Sequence, residues 1–156
     1  MYPSYHLIFG ILFSLTCFLL FPQIELIGLS LILFSSVLID ADHYLFYAYK
    51  KRDFNLANSY NWFVKNVNKF LSLPREKRNE TYVGFCFLHG IEVLIILLFL
   101  TIFSKSFFFI FIGFSLHFLF DYFSESFSMD RIDKFSVIHD FKQLKNLKFI
   151  EDVTER

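Results

Sequence analysis

The chain has 156 residues, enough for one domain, and its 55% hydrophobic content with 25 phenylalanines indicates lipid surroundings rather than a compact aqueous core. The formal net charge is zero, so the total charge gives no indication of a nucleic-acid partner, and none is predicted. Residues 1–20 contain no Lys or Arg, which argues against a cleaved signal peptide. Cys17 and Cys86 lie within apolar runs, and each is interpreted as a small buried hydrophobic residue.

Four apolar runs follow one another along the chain, at residues 5–21, 24–39, 83–103 and 107–123. Each approaches the roughly 20 residues that a helix needs to cross about 30 Å of hydrocarbon. The runs show almost no polar stripe at a period of 3.6 residues, whereas helices of a soluble bundle would show one. Short connections at residues 21–23 and 104–106 join them in pairs. The sequence therefore predicts an all-α integral membrane protein with four transmembrane helices arranged as two hairpins.

The connection between the two hairpins, residues 44–82, is long and basic, with eight Lys or Arg against three Asp or Glu. Positively charged loops remain in the cytoplasm. This predicts a multi-pass protein of the cell membrane with both termini cytoplasmic. We expect residues 1–123 to form the transmembrane domain, with 44–82 as its cytoplasmic loop, and residues 124–156 to form a cytoplasmic tail.

Two segments outside the runs carry apolar residues at helical spacing. In the loop these are Trp62, Phe63, Val67, Phe70 and Leu71, and in the tail Ile138, Phe141, Leu144, Leu147 and Ile150. Lysines take other positions in both segments, so we interpret each as an amphipathic helix that lies at the membrane interface or docks on other helices. His139 and Asp140 of the tail are expected on its solvated face.

Ionisable residues gather at one end of the predicted spans. His6 begins the first, Asp40, Asp42 and His43 end the second, His89 lies in the third, and His117 and Asp121 lie near the end of the fourth. With both termini inside, all of them reach the cytoplasmic side. A charge within the membrane costs about 2.5 kcal/mol or more, so such a residue indicates function by default. The three aspartates lie at C-terminal helix ends, where the helix dipole disfavours negative charge, so a compensating cation is expected.

A divalent metal ion, with zinc as the first choice, satisfies both the charge and the coordination of these seven side chains. His117 and Asp121, four residues apart, share a helix face. Asp40 and Asp42 converge only if the helix unwinds at Ala41, and Asp42 is then either a bridging ligand or the base that orients water. Glu92 shares a face with His89 and is expected behind the ligands. A structural polar network and a proton relay are the alternatives to a metal.

The order of these motifs resembles a known family. His6 near the start, D-A-D-H at residues 40–43, His89-Gly90 after a basic loop, and His117-x-x-x-Asp121 are similar to the membrane-bound metal-dependent hydrolases known as LexA-binding, inner-membrane-associated hydrolases. The resemblance covers residues 1–123 and implies a small helical membrane protein with a hydrolytic metal site, more distantly similar to zinc-dependent phospholipases C and nucleases. The family's third motif carries a second histidine shortly after the first. Here Ile91 and Glu92 follow instead, so either Glu92 replaces that ligand or the chain belongs to a relative whose metal occupancy or activity differs.

These observations favour a metal-dependent hydrolase at the cytoplasmic membrane face, acting on a phosphoester or lipid-like substrate. A phospholipid is favoured because the site would open at the depth of the headgroups, and membrane lipids are the expected partners. The alternatives are a non-hydrolytic metal-binding or transport protein and a scaffold in which the cluster fixes helix contacts. The outer halves of the spans carry few polar residues, which weakens a monomeric transporter. The sequence leaves the substrate and the oligomeric state open.

Overall fold

A computed structural model describes residues 3–128, 131–133 and 135–153, and the described chain is all-α apart from one pair of short strands. The helices are α1 (Pro3–Leu20), α2 (Leu26–Leu38), α3 (Ala41–Lys51), α4 (Leu56–Ser72), α5 (Arg75–Asn79), α6 (Ile91–Leu100), α7 (Lys105–Ser128) and α8 (Val137–Asn146). The strands are β1 (Thr81–Tyr82) and β2 (Lys148–Phe149), and a 3₁₀-helix covers Ile150–Asp152. The all-α class predicted from the sequence is confirmed.

Two helical stretches, Leu26–Lys51 and Lys105–Phe127, are long and apolar enough to cross a membrane. The first of them contains both α2 and α3. Helices α1 and α6 are apolar but shorter, and α6 has 10 residues, or about 15 Å of helix. The prediction of a third helical run over residues 83–103 is wrong in its first part, because residues 83–90 are irregular and Gly90, in extended backbone, precedes the first turn of α6.

Burial on the apolar helices is the reverse of burial in a soluble bundle. On α1 the large apolar side chains of Ile8, Leu12 and Leu19 are exposed, by 52%, 55% and 76%, while His6 and Ser14 are buried. A helix that turns polar groups inward and hydrocarbon outward is stable when its surroundings are themselves apolar. The exposed surface of these helices is therefore of the kind that lipid covers.

Small residues bring α2 and α7 into close contact. A Cβ atom at Gly113 of α7 would collide with the carbonyl of Ile32 and the hydroxyl of Ser35 on α2. That hydroxyl turns back to donate to the Leu31 carbonyl at 2.6 Å, so it does not hold the helices apart. Close backbone approach at small residues is typical of membrane helix pairs. One turn further along α7, the same approach places His117 beside α2.

A tightened turn at Ile39 and Asp40 separates α2 from α3. The backbone N–H groups of Asp40, Asp42 and His43 each donate to the carbonyl three residues earlier, at 3.2 Å. This pattern is that of a 3₁₀ turn. This break in the helix lies directly before Ala41. The sequence predicted that the helix must unwind at Ala41 if Asp40 and Asp42 are to converge.

The polar half of the molecule has a small hydrophobic core of its own. Its buried members come from the loop and the tail together: Phe70, Leu73, Tyr82, Phe149 and Ile150. Strand β2 pairs in parallel with β1, with Thr81 opposite Lys148. The two amphipathic segments are both helical, as α4 and α8, but α8 ends at Asn146 and the last apolar residues of the tail continue into β2 and the 3₁₀-helix. Loop and tail thus form one layer at the end of the apolar helices.

Candidate metal centre

The seven side chains predicted to meet at one end of the apolar helices do meet there. They come from α1 (His6), the turn after α2 (Asp40), α3 (Asp42, His43), the segment before α6 (His89) and α7 (His117, Asp121). Five of them are at most 3% exposed, and the side chains of Asp40 and His43 are 13% and 19% exposed. The chain therefore concentrates histidine and aspartate in a space almost closed to water.

Ligand atoms of four of these residues lie close to one another, and they include one group of three, His89, His117 and Asp121, that could hold a metal ion. The Nε2 atoms of His89 and His117 lie 3.1 Å apart, and Asp121 Oδ2 lies 3.4 and 3.5 Å from them. Asp40 Oδ1 lies 3.5 Å from His89 Nε2 and 3.7 Å from His117 Nε2. Tetrahedral zinc with bonds of about 2.0–2.2 Å separates its ligand atoms by about 3.3–3.6 Å. The spacing of these nitrogens and oxygens is thus close to that of a metal coordination shell.

Hydrogen bonds on the far side of each ring direct the two imidazoles. His117 Nδ1 lies 2.8 Å from the Ser36 carbonyl, which only accepts, so Nδ1 carries the proton. His89 Nδ1 likewise donates to the Asp42 carboxylate at 3.0 Å. In the neutral rings both Nε2 lone pairs then face each other. Two lone pairs at 3.1 Å repel unless a proton lies between them or a metal ion binds both nitrogens from one side.

His6 completes one side of the cluster. Its Nε2 atom lies 3.1 Å from Asp121 Oδ1, the oxygen that does not face the other imidazoles. Its ring stacks on His117 at a centroid distance of 3.7 Å. The His6 Nδ1 atom is buried and has no hydrogen-bond partner among the described residues. An orphaned buried nitrogen beside a carboxylate cluster fits a site that accepts a further cation or water.

Asp42, fully buried, has both carboxylate oxygens engaged. Oδ1 accepts from His43 Nδ1 at 2.8 Å, and Oδ2 accepts from His89 Nδ1 and from the backbone N–H of Leu88, which lies 2.8 Å away. A carboxylate behind an imidazole fixes the ring and raises its basicity toward a metal. These contacts favour an orienting role for Asp42 over the two roles expected from the sequence, bridging ligand and base.

Cys86 joins the cluster, although the sequence indicated only a buried hydrophobic residue. Its Sγ lies 3.6 Å from His43 Nε2. One ligand atom each from Asp42, His43, Cys86 and His89 lie within 4.8 Å of one another, a second group that could hold a metal ion. The sequence places Cys86 three residues before His89 and two residues after Gly84. This spacing indicates a metal ligand only when residues 83–90 are known to be irregular rather than helical.

The structure places two acidic residues, Glu92 and Asp140, in positions that differ from those expected from the sequence. Glu92 accepts from the hydroxyl of Ser136 and from the N–H of Val137 at 2.9 Å, so its carboxylate holds the start of α8 rather than standing behind the ligands. The prediction that Asp140 lies on a solvated face is wrong. Asp140 is 4% exposed and accepts from the backbone N–H of Cys86 at 2.7 Å, while its neighbour His139 is exposed.

Carboxylate, imidazole and thiol groups at these distances could hold a divalent metal ion, and imidazole with thiolate suits zinc among several metals. Comparisons with protein-family models, with curated proteins and with solved structures gave no match. The chemistry of the site therefore rests on its own geometry, and the resemblance in the sequence stays an expectation.

Proposed function

We propose that this protein is a metal-dependent hydrolase whose site lies at the cytoplasmic face of a membrane. The observation that carries the proposal is the group of His89 Nε2, His117 Nε2 and Asp121 Oδ2, in which the nitrogens lie 3.1 Å apart and the oxygen lies 3.4 and 3.5 Å from them. A structural network would be expected to place a donor against an acceptor at this contact. A metal ion requires the opposite, lone pairs that converge.

In this proposal Asp40, His89, His117 and Asp121 hold one divalent ion, with zinc as the first choice. His43 and Cys86 offer donor atoms for a second ion next to the first. His6 Nε2 donates a hydrogen bond to Oδ1 of Asp121. When bound, such an ion supplies a Lewis acid and lowers the pKa of a bound water toward about 7. The chain's own contribution is to fix the ligand atoms and to keep bulk water away from them.

The proposed membrane arrangement has four spans formed by α1, by α2, by residues 83–103 and by α7, with both termini in the cytoplasm. The apolar outer surface of α1 and the two long apolar stretches support it. The basic segment at residues 44–82 sets the orientation, and each Lys or Arg near the surface also attracts anionic lipid by about 1 kcal/mol. The proposed substrate is a phosphoester of lipid-like shape, whose head would reach the site from the membrane surface.

Metal analysis of the protein purified in lipid nanodiscs tests the proposal first. We expect bound zinc or another divalent ion in the unaltered protein, and a large loss in His117→Ala. The matched control is His139→Ala, which removes an exposed histidine outside the cluster and should keep the metal. Metal-free protein that keeps its stability after chelation would refute the proposal and would favour a proton between the two imidazoles.

Turnover is tested next, with the metal-loaded protein on a panel of phosphomonoesters, phosphodiesters and phospholipids. We expect hydrolysis of at least one of them that His117→Ala abolishes and His139→Ala preserves. Stoichiometric metal without turnover of any of these esters would contradict the hydrolase and leave the non-hydrolytic metal-binding protein.

A further inference from the structure

A partly enclosed cavity of about 630 Å³, here called the α3–α4 cavity, adjoins the candidate metal centre. Asp40, His43 and Cys86 form part of its wall. Most of the remaining wall is apolar, and α4 contributes Phe63, Val64, Val67 and Leu71 to it. The volume and the mainly apolar lining with a few polar groups are those of a small-molecule site.

The charge of the wall restricts what can enter. The described lining contains the acidic side chains of Asp40, Glu125, Asp133 and Asp140 but no Lys or Arg. Glu125 and Asp140 already accept hydrogen bonds from the backbone N–H groups of Asp133 and Cys86. An anionic head group would therefore meet repulsion along the wall, except where the cluster holds a cation. The body of the ligand must be uncharged and apolar.

The cavity also has apolar surroundings from which such a ligand can come. Tyr5 of α1 and Leu38 of α2 lie in its wall, and both side chains are exposed, by 49% and 59%. The outer face of α1 that begins at Tyr5 is apolar. The exposed apolar face of α1 thus reaches the wall of the α3–α4 cavity at Tyr5, where a hydrocarbon chain from the membrane would enter.

We propose that the α3–α4 cavity holds one alkyl chain of a lipid-like phosphoester drawn from the membrane, with the ester head at Asp40 and His43. The position of the head rests on the proposed function, and the position of the chain rests on the cavity. The apolar residues of α4 are then specificity residues, which select a substrate by the shape of its chain.

Val67 is the most informative position to change. It is half-buried in the cavity wall, one turn from both Phe63 and Leu71 along α4. Val67→Phe adds a ring to the space that the chain requires, whereas Val67→Ala enlarges it. Asn68→Phe places the same ring at the neighbouring exposed position, outside the lining, and serves as the matched control.

The experiment is photocrosslinking of the full chain in nanodiscs, followed by mapping of the labelled peptides. Two probes carry a diazirine at the end of the same long alkyl chain: a monoalkyl phosphate, and the corresponding alcohol without the phosphate. We expect the phosphate probe to label α4 in the metal-loaded protein. Labelling should fall about fivefold or more in Val67→Phe, because the added ring occupies the part of the cavity that the alkyl chain needs. Labelling should persist in Val67→Ala and in Asn68→Phe.

Comparison of the two probes distinguishes binding of the alkyl chain in the cavity from binding of the phosphate at the metal. If chelation removes α4 labelling by the phosphate but not by the alcohol, both the chain site and the placement of the head are supported. If the alcohol labels α4 in a protein that binds no metal, the cavity proposal stands and the hydrolase does not. Labelling confined to the outward faces of α1 and α7, in metal-loaded and active protein, would overturn the cavity proposal alone. Val67→Phe could disturb folding. The labelling map of the unaltered chain therefore tests the cavity proposal without any variant, by whether α4 is labelled.

Discussion

Asp42 Oδ2 accepts a hydrogen bond from His89 Nδ1 at 3.0 Å, and this contact directs the other ring nitrogen of His89 at His117. Asp42 belongs to α3, whereas His89 precedes α6, so the bond joins two separate elements of the chain. The orientation of a ligand imidazole commonly depends on such a carboxylate.

Asp42→Asn should therefore lower the affinity for the metal by about ten- to a hundredfold without removing a ligand of the first ion. An asparagine amide has one acceptor oxygen where the carboxylate has two, and His43, His89 and Leu88 all require an acceptor. Competition with a chromophoric chelator measures the affinity. Asp152→Asn, at an exposed position of the tail, is the control and should leave it unchanged. An affinity in Asp42→Asn equal to that of the unaltered protein would exclude the orienting role.

Asp140 gives a second prediction, because it holds the segment that carries two members of the cluster. The N–H of Cys86 is buried and donates to Asp140 at 2.7 Å. Asp140→Ala leaves that N–H without its acceptor and should lower the free energy of unfolding by about 1–3 kcal/mol. We also expect weaker metal binding, since Cys86 and His89 lie in the segment that is loosened.

Asp140→Asn keeps one acceptor oxygen and should restore much of both losses. Denaturant titration of the nanodisc protein, with chelator competition beside it, provides the two measurements. Equal effects of the alanine and asparagine variants would show that the hydrogen bond to Cys86 is not the cause.

The sequence predicted the helices and the cluster because both leave local signals. Long apolar runs define helices α1, α2 and α7 to within a few residues, and ionisable residues are rare enough inside those runs to be noticed. His117 and Asp121 could be placed on one face from their spacing alone.

What the sequence did not predict depends on contacts between distant residues. Helix α6 begins at Ile91, whose N–H donates to the Phe135 carbonyl, and Glu92 in its first turn holds the start of α8, some 45 residues away. Neither contact has a local pattern, so His89 was expected inside a helix. The burial of Asp140 has the same origin, since its partner Cys86 is 54 residues away in the chain.

Gly113 gives a third prediction, on the helix contact that positions His117. A methyl group at this position would meet the Ile32 carbonyl, which belongs to the backbone and cannot move aside. Gly113→Ala should therefore separate α2 from α7 and destabilise the protein by about 1–3 kcal/mol or more, the usual cost of overpacking. The hydrogen bond from His117 to the Ser36 carbonyl should weaken with it, and metal affinity should fall.

Gly84→Ala is the matched control for that substitution. The nearest atoms to a methyl group there belong to the side-chain rings of Phe63 and Phe46, at 3.1 Å or more, so a shift of a few tenths of an ångström in the rings would admit it. Thermal unfolding of both variants provides the comparison. If Gly113→Ala proves no less stable than Gly84→Ala, the close approach of α2 and α7 does not depend on this glycine.

Glu151 gives the last prediction, on the attachment of the tail to the loop. Its Oε1 accepts from the indole N–H of Trp62 at 2.6 Å, and its Oε2 accepts from Lys51 at 2.8 Å. Burial raises the pKa of Glu151, but the hydrogen bonds from Lys51 and Trp62 outweigh it and hold the pKa below its ordinary value. Because the folded pKa is lowered, the contact contributes stability at and above the ordinary pKa of about 4.3 and loses it as the pH falls through the lower folded value.

Trp62 is the only tryptophan of the chain, so its fluorescence reports this contact directly. We expect constant emission from neutral pH down to about pH 4.3, and then a change as Glu151 takes up a proton and the tail detaches from the indole. Glu151→Gln keeps an acceptor for the indole but cannot titrate, so it should abolish the acid transition, whereas Glu76→Gln at an exposed position should retain it. A transition that persists unchanged in Glu151→Gln would assign it to another group and separate the tail contact from this carboxylate.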